Sequence, residues 1–185
     1  MAKRVLVPIA TGFEEIEALT VVDILRRAGA EVVLAGITEQ RPIDGRSNIS
    51  VVPDMSFDEA LKTGPFDIIV LPGGLPNAYI LRDDERVIRA LKDQASRGGH
   101  VAAICASPVG LDRAGLLEGI RITSHPTVRE ELPDDNYCEE RVVTVSRVMT
   151  SRAAGTAMEF AFAIVMELFG PEKVEEVNAG VLAAL

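Results

Sequence analysis

Cys105 lies in the stretch GGHVAAICASPVG (98–110), directly after the apolar run Val101-Ala102-Ala103-Ile104 and before a helical pattern that begins near Pro108. A cysteine at the bend between a buried strand and a helix is presented on a sharp turn, as in a nucleophile elbow. The amides at the start of the following helix point toward the sulfur and are expected to favour the thiolate, the reactive form of cysteine. Small neighbours, Ala106 and Ser107, allow close approach of the backbone. Gly73 and Gly74 end another apolar run, and glycine tolerates the dihedrals that aim further N–H donors outward. The alternative is a buried structural cysteine, since free cysteine is among the most buried residue types. The other cysteine, Cys138, stands in the polar loop PDDNYCEE and is expected to be a spectator.

A thiolate that does chemistry needs a proton carrier. The segment EEIEALTVVDILRRAGA offers Glu14, Glu15 and Glu17 in its first turns. Glu17 shares a helical line with Val21, Ile24 and Ala28, so apolar surroundings would raise its pKa. Glu14 shares a comparable line with Ala18, Val21 and Leu25, and periodicity does not choose between them. All three also suit a helix N-terminus simply as favourable charge. Two histidines are present. His100 opens an apolar run after two glycines and reads as a surface residue; His125, in TSHPT, follows a strand-like segment and can reach the same edge as Cys105. The pair Arg26-Arg27 reads as a solvated helix end before Gly29.

These residues have to be positioned by an alternation of strands and helices. RVLVPIA (4–10), EVVLAGI (31–37), FDIIVLPGG (66–74) and the run into Cys105 read as buried strands; GIRITS (119–124) reads as another, and RVVTVSRVMTS (141–151) as one or two more. Helices are expected over 14–30, 56–63, 84–99, from about 108, over 155–170 and over 171–185. Capping boxes are read at Thr11/Glu14, Ser56/Glu59 and Thr156/Glu159. The segment RPIDGRSNISVVP (41–53), with its Asp-Gly turn, reads as a hairpin. Helix 155–170 is apolar nearly all round, which suits the core or an interface. Near-continuous apolar strands alternating with helices predict an α/β fold with a mainly parallel sheet covered on both faces. In such sheets ligands bind beyond the carboxyl ends of the strands. The turns after strands 4–10 and 66–71 and the Cys105 bend all fall at that edge.

The chain has 185 residues, 48% hydrophobic and 25% charged, which fits one soluble domain (1–185) with no need of a disulfide or metal staple. A net charge of −9 argues against nucleic acid or an anionic membrane as partner. The apolar run near the C-terminus is far short of the ~18 residues a membrane span needs. MAKRVLVPIATGFEE reads as a first strand rather than a signal peptide, and two cysteines without metal-type spacing fit a reducing, cytoplasmic setting.

Taken in order, LPGG (71–74), AAICASP (102–108), SHP (124–126) and TSRAAGTAMEFAFAIV (150–165), with GFEEIEA (12–18) in register, resemble the ThiJ/PfpI superfamily. Within it the chain is most similar to the branch of the Parkinson-disease-associated protein deglycase and its bacterial homologues. The resemblance implies a flavodoxin-like three-layer sandwich forming a homodimer, and helix 14–30 is apolar around much of its circumference. It makes Cys105 an oxidation-sensitive nucleophile, selects Glu17 as the acid paired with it, places His125 nearby and makes the Gly74 and Ala106 amides oxyanion-type donors, with Gly73 beside them. It implies a cofactor-free, metal-free glyoxalase or deglycase acting on a small reactive dicarbonyl such as methylglyoxal or glyoxal. The alternative it implies is a redox-sensing protective chaperone working through a Cys105 sulfinate. Two departures stand out. Protease branches carry a histidine directly after the cysteine, where this chain has Ala106, which argues against protease action. The branch's hairpin arginine aligns with Ser47, and the nearest arginine is Arg46; Arg27 still matches, so Arg27 and Arg46 are the candidate anion-binding residues.

Overall fold

A computed structural model describes residues 2–38 and 41–183. The sheet is built from β1 (Arg4–Ile9), β2 (Glu31–Gly36), β5 (Met55–Ser56), β6 (Ile68–Leu71), β7 (His100–Ile104), β8 (Val142–Val145) and β9 (Val148–Ser151), while β3 (Ile43–Asp44) and β4 (Ser50–Val51) form a separate hairpin. The seven strands lie in the order β5-β2-β1-β6-β7-β9-β8. All neighbours are parallel except the β8/β9 hairpin at one edge.

Strand side chains alternate between two cores, as the pleat requires. Val5, Val7 and Ile9 pack with α1 (Glu15–Arg27), α6 (Ala157–Phe169) and α7 (Pro171–Val181). Leu6, Ile69, Leu71, Val101 and Ala103 pack on the other face, against α2 (Phe57–Thr63), α3 (Asn77–Asp83), α4 (Glu85–Ser96) and α5 (Pro108–Arg113). Both faces of β1, β6 and β7 are thus buried, which accounts for their unbroken apolar sequence. This is the expected flavodoxin-like three-layer α/β arrangement.

From β1 the chain moves outward to β2 and β5, then crosses back to β6 on the other side of β1. That reversal is a topological switch point, where the loops after β1 and β6 diverge and leave a crevice.

Several local expectations are corrected. Segment 119–124 is no strand, because β9 occupies the place beside β7; it keeps only a bridge between Ile122 and Tyr137. Among the expected capping boxes, Ser56/Glu59 forms as read. Helix α1 is capped instead by Glu14, whose Oε2 accepts the Glu17 N–H at 2.8 Å. The Thr156 hydroxyl pairs with the Ser151 hydroxyl at 2.7 Å rather than capping α6. Short β5 and helix α3 are additional to the elements expected from the sequence. The hairpin falls where its Asp-Gly turn placed it, with Ile43 opposite Val51. The last two positions of the expected final helix, 184–185, lie outside the described residues.

Candidate active site

Cys105 follows the last residue of β7 with φ 65, in the left-handed region. A non-glycine residue held there costs of order 1–3 kcal/mol and persists only where its surroundings over-determine it. Both sides of its backbone are pinned. Its N–H donates to the Ser151 carbonyl at 2.9 Å, and its own carbonyl accepts the His125 N–H at 2.8 Å. The bend turns the side chain out of the sheet into a cavity of about 380 Å³ lined by Arg46, Gly74, Leu75, Ala106, His125 and Thr127.

Against the thiol lies Glu17, which is fully buried. Its line mates Val21, Ile24 and Ala28 are buried with it in the α1 core. Glu17 Oε2 accepts the Gly73 N–H at 2.8 Å. Oε1 has no nitrogen or oxygen partner among the described residues. The Cys105 thiol is among the neighbours acting on the carboxyl group, through a side-chain interaction that lowers Glu17 and raises Cys105. Geometry therefore separates the two acids that periodicity could not: Glu14 caps the helix, and Glu17 faces the sulfur.

Two glycines make this approach possible. A Cβ at Gly73 would sit 2.5 Å from Glu17 Oε2 and 2.6 Å from the Cys105 Cβ. Gly74 has φ 87, and a Cβ there would sit 2.3 Å from the Gly12 carbonyl oxygen. Of the three expected backbone donors, the Gly74 and Ala106 amides act on the sulfur. Gly73 does not; its N–H is taken by Glu17.

Burial first, and then the charge of Glu14, pushes the Glu17 carboxyl group up to about 7, against the pull of the thiol, the Gly73 amide and Arg46. The Cys105 thiol is pushed up to about 12, by burial first and then by Glu17, against the Gly74 and Ala106 amides. Both shifts share one first cause, burial, which disfavours the charged form of either group. The Glu17 charge then adds to the rise of the thiol, while the thiol itself draws Glu17 down. A thiolate is favoured when Glu17 keeps its proton. The Ala106 amide, just ahead of α5, acts toward the thiolate, but burial outweighs it and the thiol is raised overall.

His125 lines the cavity half-buried. Its Nδ1 accepts the Thr127 N–H at 3.2 Å and faces the Thr127 hydroxyl at 2.9 Å. With Nδ1 accepting, the neutral ring carries its proton on Nε2, which makes that nitrogen a donor. Thr127 was not foreseen; its place two residues beyond a histidine, at the start of a short 3-10 turn (Pro126–Glu131), is the only local signal.

Arg46 also reaches the cavity, although one position away from the aligned Ser47. Glu15 holds its loop: Oε1 accepts the Ser47 N–H at 2.8 Å, and the Arg46 N–H donates to the Phe13 carbonyl at 2.9 Å. Arg27 is not brought to this cavity. It stands at the far end of α1, paired with Asp23 at 2.8 Å. His100, expected at the surface, is largely covered at the opposite end of the sheet, 3.6 Å from Glu167. No group of three or more His, Cys, Asp or Glu among the described residues is placed to hold a metal ion. No helix among them is long and apolar enough to cross a membrane.

A parallel α/β sheet with a switch-point crevice, a strained cysteine elbow and a buried acid against the sulfur defines the class of cysteine-centred α/β proteins. Residues 3–167 match the DJ-1/PfpI family model, and the chain belongs to that family. It is 41% identical over 180 residues to the Parkinson disease protein 7 homolog of Danio rerio, covering 96% of this chain and 95% of that one. It is 38% identical to the glutathione-independent glyoxalase DJR-1.2 of Caenorhabditis elegans, covering 86% and 85%. Among solved structures, Drosophila melanogaster DJ-1beta superposes with a TM-score of 0.94 at 39% identity, over 100% of both chains. Oxidized Toxoplasma gondii DJ-1 does so with a TM-score of 0.94 at 36% identity, again over 100% of both.

Proposed function

We propose that the chain, acting as one domain over its whole length, is a glutathione-independent glyoxalase that converts methylglyoxal or glyoxal to the 2-hydroxy acid. The Cys105 thiolate adds to the aldehyde carbon, and the carbonyl oxygen becomes an alkoxide that takes up a proton, giving a hemithioacetal. Glu17 removes the C1 proton, an enediol-like intermediate forms, and the proton returns to C2, leaving a thioester. Water cleaves that thioester, releasing lactate or glycolate and the free thiol. C1 is oxidised and C2 reduced within one molecule, so no outside electron carrier enters.

The observation that carries this reading is the pairing of Cys105 with a buried Glu17 whose ionisation lies near neutrality and whose Oε1 is uncommitted. An acid balanced between its two forms can both accept and return a proton. The Gly74 and Ala106 amides and the His125 Nε2–H are the donors assigned to the oxyanion, and Arg46 is assigned to the developing carboxylate. The glyoxalase name of the Caenorhabditis elegans relative supports the reaction class. Exposed Ile16 and Leu19 on α1 and Ile49 and Val52 on and beside the β3/β4 hairpin support a homodimer formed through this face. Two free cysteines suit the cytoplasm as its place of action.

A second reading, a redox sensor with protective chaperone behaviour, draws on the same pair. Two equivalents of peroxide would oxidise the thiolate to a sulfinate with release of two waters, and protonated Glu17 would hold the sulfinate oxygen. The oxidized Toxoplasma gondii relative is the observation that favours it. The deciding experiment measures lactate released from methylglyoxal by wild type and Cys105→Ala, without added thiol and in amine-free buffer. Turnover that disappears in the variant supports the glyoxalase. No turnover, with ready formation of Cys105 sulfinate, supports the sensor.

A further inference from the structure

Asn77, the first residue of α3, is fully buried and plays no part in capping that helix. Its side chain makes three hydrogen bonds, all to the two loops that flank the switch-point crevice. Oδ1 accepts the Ala10 N–H at 2.7 Å, just beyond β1. Nδ2 donates to the Pro72 carbonyl at 2.7 Å and to the Gly73 carbonyl at 3.0 Å, just beyond β6. The orientation of the amide is dictated by its partners, because a backbone N–H can only donate and the two carbonyls can only accept. The third loop joins through Ser107, whose hydroxyl donates to the same Pro72 carbonyl at 2.6 Å. Loops after β1, β6 and β7 therefore meet in one small buried network centred on Asn77.

The Gly73 peptide links this network to the chemistry. Its carbonyl receives Asn77 Nδ2 and the Glu14 N–H, and its own N–H holds Glu17 Oε2 at 2.8 Å. The next amide, that of Gly74, acts on the Cys105 sulfur. We infer that Asn77 is a positioning residue for the Cys105–Glu17 pair, fixing the Gly73-Gly74 backbone whose N–H groups face the carboxyl group and the sulfur. The inference rests on the active-site assignment above but not on the identity of the substrate. Without the amide, the Gly73-Gly74 backbone loses a restraint, both N–H groups lose aim, and the negative charge shared by the pair loses two donors.

The test reads the alkylation rate of Cys105 by iodoacetamide against pH, followed by the mass of the Cys105 peptide. Asn77→Leu keeps the bulk and removes all three bonds. Asn77→Asp keeps the Ala10 bond and removes the two donated ones. Gln94→Ala is the matched control: Gln94 is equally buried and bridges Phe66 and Arg97 at the opposite end of the same strands. In the Asn77 variants the pH midpoint of alkylation should rise by about half a unit or more, the scale on which lost N–H donors move a buried acid. Gln94→Ala should lower thermal stability and leave the midpoint in place. A folded Asn77→Leu or Asn77→Asp with the wild-type midpoint overturns the inference, as does an equal shift in Gln94→Ala. Where methylglyoxal turnover is measurable, kcat should fall in the Asn77 variants with KM little changed. A wild type that alkylates normally but turns over no methylglyoxal removes the glyoxalase reading and leaves this test intact.

Discussion

In the proposed reaction Glu17 is the residue on which chemistry and stability meet. Glu17→Gln keeps size and a donor but cannot accept and return a proton, so methylglyoxal turnover should fall by about 10²-fold or more, the usual scale for losing a general acid–base. Glu14→Gln is the control; a glutamine oxygen still accepts the Glu17 N–H. Because burial rather than the Glu14 charge is the first cause of the raised Glu17, turnover should change far less than in Glu17→Gln. Loss of activity in Glu14→Gln with retention in Glu17→Gln would assign the roles the other way round. The same carboxyl group makes stability depend on pH. Its folded value of about 7 lies above the ordinary 4.5, so folding favours the protonated form. The stabilisation is fully present below pH 4.5 and is lost as pH rises through 7, a change of order 3 kcal/mol. Denaturant titrations at pH 4.5 and pH 8 should therefore show the advantage of Glu17→Gln over wild type widening toward pH 8. A constant gap would mean that Glu17 titrates normally.

At the scale of elements, the site depends on how closely the turn after β6 approaches α1 and the end of β7. Gly73→Ala places a methyl group within 2.6 Å of both Glu17 Oε2 and the Cys105 Cβ. Either the carboxyl group or the elbow has to move. Overpacking of this kind costs about 1–3 kcal/mol, and turnover should drop by at least about 10-fold as the acid leaves its position. Gly155→Ala is the contrast, since a Cβ there meets nothing within 4 Å; it should stay within about 0.5 kcal/mol of wild type. Chemical denaturation and lactate assays on the two variants read both effects. A fully active Gly73→Ala would show that the turn has slack the packing does not suggest.

For the whole molecule, the question is what covers the outer side of α1. Ile16 is 56% exposed, and Ile49 and Val52 are 54% and 68% exposed nearby, while Glu15 ties the hairpin loop to the helix. A second copy burying this apolar surface would explain why helix and hairpin both leave it uncovered. Light scattering at micromolar concentration should report a dimer, and Ile16→Glu should shift it to monomer by placing a charge at that contact. A wild type that scatters as a monomer at that concentration counts against the proposal.

Features that depend on neighbours in the chain were legible in the residues alone. Unbroken apolar runs marked β1, β6 and β7 as strands buried on both faces, and the run into Cys105 placed the cysteine on a bend. The Asp44-Gly45 pair located the hairpin, and Ser56 with Glu59 capped α2. Which of two equally periodic acids meets the sulfur was settled by packing, because it depends on how α1 is rotated against the Gly73 turn, 56 residues away. Packing also decided that 119–124 finds no sheet edge, that Thr156 bonds Ser151 instead of capping a helix, and that Arg46 reaches the cavity while Arg27 does not. Asn77 carried no local signal at all, since its partners are backbone groups brought together by two separate strands. Periodicity and capping are written in short-range backbone and side-chain preferences. Which atoms finally share a proton is set by long-range packing, and no pattern along the chain encodes that distance.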